Sequence, residues 1–166
     1  FHPDSALLLP GRPLFYPDFG GDWHACLFLA IRINRLGKSV SEKFAPRYYD
    51  SFSLALHFIP VDPSAMLPGV LSGLDSSITH GAWLPAAQLA GGVTIAADCQ
   101  PCCPAGFTLP SDTEVNRVIA RVSTYTTLRM GDILLLPLPV SPLPLSPRTH
   151  IALSAADTEI ISLKIV

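Results

Sequence analysis

Seventeen prolines in 166 residues constrain this chain more than any other feature, because each one removes a backbone donor and is excluded from helix interiors and central strands. That is about twice the usual ~5% usage, and the prolines cluster at 3–17, 60–68, 101–110 and 137–147. The segments between the clusters leave little room for long helices. The expected class is mostly β with short helices (α+β). With 49% hydrophobic residues the chain has enough apolar side chains for one domain, 1–166, around its own core.

Residues 1–24 carry turn chemistry (Pro10-Gly11, Arg12-Pro13, Gly20-Gly21) and read as an irregular lead-in. Cys26–Ile33 is β-rich and nearly continuous in apolar residues, which suits a buried strand, and Ser53–Ile59 is a second strand ended by Pro60. Between them, Ser39 and Glu42 have capping-box spacing, so a short helix interrupted by Pro46 is expected. The stretch 62–81 reads mainly as loop, and Gly91-Gly92 as a turn into a strand at Val93–Ala97. The clearest helix starts at Ser111, with Glu114 completing a capping box and Val115, Val118, Ile119 and Val122 on one face, which leaves Arg117 and Arg121 outward. Strands are expected at Ile133–Leu136, Ile151–Ala155 and Ile160–Val166, with 137–147 as an extended surface loop.

A net charge of −2 offers no electrostatic footprint for nucleic acid or an anionic membrane, and no apolar run reaches the ~18 residues that span a bilayer. The start lacks the features of a signal peptide, so a cytoplasmic protein is the default. No glycine-rich nucleotide loop and no Gly-x-Ser-x-Gly elbow occurs. Cys99, Cys102 and Cys103 resemble half a zinc site, but the remaining ligands are not in view and free thiols in a hairpin loop are expected. Period-two alternation puts His24, Cys26 and Phe28 on one face of the first strand. With His57 opposite, His24, Cys26 and His57 form a conceivable soft-metal (zinc) set or thiol–imidazole pair; a buried face with two satisfied imidazoles is the favoured alternative.

The runs Arg32-Ile33-Asn34-Arg35-Leu36-Gly37-Lys38 and Phe44-Ala45-Pro46-Arg47-Tyr48-Tyr49-Asp50 resemble the fumarylacetoacetate hydrolase family, in its bacterial short-chain branch. Pro3–Leu7, Asp75–Pro85 and Ser123–Asp132 resemble further segments of that family in the same order, so the likeness spans nearly the whole chain. It implies a mixed β-sandwich roll, a homodimer, and a hard divalent cation (Mg²⁺, Ca²⁺ or Mn²⁺) used on diketo and oxo acids. It also implies that a segment upstream of this core, which often carries a general-base His and Glu, is missing.

Carried over position by position, the family's site is replaced. Its Glu-x-Glu metal pair falls on Cys26 and Phe28, following His24, and its Asp-Phe-x-x-Arg pattern falls on His57 and Val61. Its lysine falls on Ser72, and its Thr-Gly-Thr-Pro becomes Leu136-Pro137-Leu138-Pro139, with Leu138 in place of a substrate-binding hydroxyl. The degenerate pocket is therefore expected at His24, Cys26, Phe28, His57, Val61, Ser72 and Leu138, with no catalytic residue and no cofactor. The leading expectation is a non-catalytic member with a structural role or a small organic-acid ligand. An active hydrolase, isomerase or decarboxylase and a zinc-binding module are the alternatives.

Overall fold

The computed structural model describes residues 1–67, 69–91, 95–97, 107–155 and 158–166. Its strands are β1 (Leu7–Leu8), β2 (Trp23–Ile33), β3 (Tyr49–Pro60), β4 (Ile78–His80), β5 (Leu84–Pro85) and β6 (Ile95–Ala97). After the helix α1 (Asp112–Tyr125) come β7 (Ile133–Pro137), β8 (Leu143–Pro144), β9 (His150–Ala155) and β10 (Thr158–Lys164). Among the described residues these form two sheets. One runs β1-β4-β3-β2-β7, with β5 added to β3 and β8 to β2; the other runs β10-β9-β6. The β1–β4 pair is parallel and the rest are antiparallel, so the first sheet is mixed. The mostly-β expectation with few helical turns holds.

The long β2–β3 pair is the spine. Leu27, Leu29 and Ile31 of β2 and Leu54, Leu56 and Phe58 of β3 project from one face into a core completed by Leu153, Ile161 and Leu163. Each such side chain contributes roughly 1.5–3 kcal/mol on full burial. At the far end of the pair Arg32 meets Ser51 and Ile33 meets Tyr49, so Asp50 is the extra residue of a bulge. The second sheet reaches the first at Gly81, whose N–H donates to Leu54 while the Ala82 N–H donates to Ile160. A Cβ at Gly81 would lie on the Ile160 carbonyl oxygen.

The helix forms as its sequence dictates. Ser111 and Glu114 make a reciprocal capping box, Val115 and Ile119 are buried, and Arg117 and Arg121 face solvent. Ser123 Oγ accepts from the Val40 N–H at 2.9 Å, and Lys38 Nζ donates to the Thr124 carbonyl at 3.1 Å, a cation at the negative end of the helix.

Several expectations change. The 39–50 segment forms a 3-10 turn at Glu42–Arg47, not an α-helix; Ser41, not Ser39, is the N-cap and makes no side-chain cap, and Ser39 sits at φ +51°. The stretch 62–81 is not all loop, since Ile78–His80 pairs with β3 and β1, and 3-10 turns occupy Pro63–Ala65 and Val70–Gly73. Residues 137–147 run extended along the surface as expected, but they are more than a loop: Leu138, Leu143 and Leu145 reach into the core, and β8 pairs with β2. Alternating proline with leucine gives an extended chain whose every second side chain can be buried, a pattern that reads as loop when proline alone is weighed. Cys99, Cys102, Cys103 and the start of the strand expected at Val93 lie outside the described residues.

Candidate functional site

The face of the first sheet opposite the Leu27–Phe58 core carries its chemistry. Period-two alternation puts His24, Cys26 and Phe28 there, each partly exposed, between the buried Trp23, Ala25, Leu27 and Leu29. Cys26 pairs directly with His57 and Phe28 with Ala55; β4 extends these rows by placing Ile78 beside His57 and His80 beside Ala55. The Phe28 ring lies 6.2 Å from that of His57.

Two further residues complete this corner. The His2 ring stands edge-on to His57 at 4.9 Å, and His2 Nδ1 lies 2.9 Å from the Ser72 carbonyl oxygen. Ser72 is thus tied to the site through its backbone, while its hydroxyl donates to the Gly69 carbonyl at 2.8 Å. His57 Nε2 is buried without a hydrogen-bond partner. Burial, with the neighbouring His2 adding to it, pushes the His57 pKa down to about 4. Burial also raises the Cys26 thiol above its ordinary range and lowers His24. Cys26 is therefore a protonated thiol at neutral pH beside an uncharged imidazole, the reverse of an activated thiolate.

The structure brings together Cys26, Phe28, His57 and the backbone of Ser72. It does not bring the others. His24 pairs with Ile59 and lines a separate depression beside Val61. Among the described residues no three His, Cys, Asp or Glu side chains gather as a metal-holding group, so the His24, Cys26, His57 set is not assembled. Val61 is exposed, donates its amide to the Asp22 carbonyl, and lines a shallow depression with His24, Pro142 and Pro144. Leu138 is corrected outright: Pro137 pairs with Phe28, so the next residue turns to the opposite face, where Leu138 is buried in the core.

Sequence reasoning missed a neighbouring group on the same sheet. Arg32, on the Cys26 face of β2, lies 5.2 Å over the Trp83 ring and 3.7 Å from the Asp50 carboxylate; Trp83 in turn sits 4.8 Å from the His80 ring. The Ser51 hydroxyl donates to Asp50 at 2.8 Å and, with Asn34 and Arg32, holds its carboxyl below the usual value. The bulge that aims Asp50 at Arg32 and the strand that aligns His80 leave no simple trace in residue spacing.

No protein-family model matches the sequence, and no curated protein matches it. Solved structures do match in fold. A fumarylpyruvate hydrolase from Pseudomonas aeruginosa, solved with Mn²⁺ and pyruvate, superposes with a TM-score of 0.78 at 16% identity, over 99% of this chain and 76% of that one. A 2-hydroxyhepta-2,4-diene-1,7-dioate isomerase from Mycobacterium marinum gives 0.82 at 19% identity, over 99% and 67%. A Yersinia pestis protein assigned to the fumarylacetoacetate hydrolase family gives 0.77 at 19% identity, over 99% and 80%. Among the described residues no helix is long and apolar enough to cross a membrane. The fold of this chain, with a mixed β-sheet and, among the described residues, one substantial helix, is that of the fumarylacetoacetate hydrolase family.

Proposed function

We propose that this chain is a non-catalytic member of that family, which keeps the fold as a structural or small-ligand-binding protein. One observation carries the reading: the three positions that the resemblance aligns with the family's metal carboxylates converge, and they hold a thiol, a phenyl ring and an uncharged imidazole. Mg²⁺, Ca²⁺ and Mn²⁺ take about six oxygen donors, and this donor set does not fit them. The arginine and lysine of the family pattern are replaced by an exposed Val61 and by Ser72. Neither the arginine nor the lysine that would stabilise a developing enolate or oxyanion remains at these positions. Carboxylates buried here without a cation would be costly, so their replacement by Phe28 and a neutral His57 also stabilises the sheet.

The experiment is turnover of acylpyruvates and oxaloacetate by the purified chain with saturating Mg²⁺ or Mn²⁺. The reading expects rates at the uncatalysed background. The rival reading, an active metal-dependent hydrolase or isomerase, draws on the enzymes whose fold the chain shares, and turnover above background would establish it. A homodimer and a cytoplasmic location belong to the same proposal.

A further inference from the structure

A second cavity, of about 1220 Å³, opens between the lead-in and residues 74–77, and it shares no residue with the Cys26–His57 face. We propose that it binds an organic cation with an aromatic or alkyl body.

The walls argue for the body. Phe15, Tyr16, Phe19, Trp23 and Phe58 all line the cavity. Trp23 and Phe58 are its buried floor, whereas Phe15 and Phe19 are 75% and 50% exposed, an arrangement that leaves aromatic surface available rather than spent on the core. The floor is held in place: the Trp23 indole N–H donates to the Phe19 carbonyl at 2.8 Å, and the two rings meet edge-on at 5.6 Å. Ring faces of this kind attract ammonium groups.

The charges argue for the sign. Asp18, Asp75 and Arg12 line the same cavity, and among the described residues none of the three forms an ion pair, which leaves an excess of one negative charge. The volume exceeds the ~300–1,000 Å³ of small-molecule sites, so a bicyclic ligand fits. This inference stands whether or not the proposal for the Cys26–His57 face holds.

The test is calorimetric titration of the chain with tryptamine, skatole and indolepropionate, which present one indole body with positive, neutral and negative charge. Tryptamine is expected to bind at least about fivefold more tightly than skatole, with indolepropionate weakest. The D18N/D75N double variant alters two exposed carboxylates, so it should keep its thermal midpoint and bind tryptamine no better than skatole. Tightest binding of indolepropionate, equal binding of all three, no binding of any, or an unchanged tryptamine affinity in the double variant would each overturn the proposal.

Discussion

Cys26 and His57 stand opposite each other on the β2–β3 pair, one a protonated thiol and the other an uncharged imidazole with a buried nitrogen that nothing satisfies.

That pairing makes stability depend on pH in a stated direction. The His57 pKa is about 4 in the folded chain against 6.5 ordinarily, so between those values the unfolded chain binds more protons. Stability is complete above pH 6.5 and falls as pH drops toward 4, by about 2 kcal/mol once the ring's partial exposure is allowed for. His24, also lowered by burial, has the same sign. Urea denaturation at pH 7 and pH 4.5 should show the loss, and His57→Gln should remove most of the His57 share. An unchanged slope in that variant would assign the dependence elsewhere.

The thiol should be sluggish. Burial raises Cys26 above its ordinary 9.0, so iodoacetamide should modify it slowly at pH 7.5, at a rate still climbing above pH 9. Residue-resolved mass spectrometry separates it from Cys99, Cys102 and Cys103. Rapid labelling at neutral pH would mean a thiolate, and with it a nucleophile.

Much of this was legible from sequence. Strand alternation placed Cys26 on the His57 face, and the Ser111–Glu114 capping box located the helix. Leu138 was misjudged because a family pattern fixes position along the chain but not the face: one residue beyond Pro137 lies across the sheet. His80 and Asp50 were missed because a three-residue strand and a bulge are set by tertiary pairing, not by local propensity. His2 reaches His57 across a sequence separation that no local pattern bridges.

Gly81 joins the two sheets by close approach, and Gly81→Ala puts a methyl on the Ile160 carbonyl oxygen. Neither partner is the end of a flexible side chain. The cost should be about 3 kcal/mol, read as a lowered urea midpoint with an unchanged m-value. Gly73→Ala, with open space at its Cβ, is the control and should cost well under half as much.

Restoring carboxylates should restore metal affinity. In the C26E/F28E/H57D variant three acids replace the present trio on adjacent positions of one face. Without metal their mutual repulsion lowers stability; at Mn²⁺ a hundredfold above its dissociation constant the variant should gain about 2.7 kcal/mol. A thermal midpoint indifferent to Mn²⁺ would show that these positions do not form the cation site.

The most direct measurement is calorimetric titration of the chain, stripped of metal, with Mn²⁺ and Mg²⁺. The account predicts no saturable heat for either ion, because a thiol, a phenyl ring and a neutral imidazole stand where oxygen donors are required. Stoichiometric binding of either would contradict it and favour the rival reading, an active hydrolase or isomerase like the enzymes whose fold the chain shares.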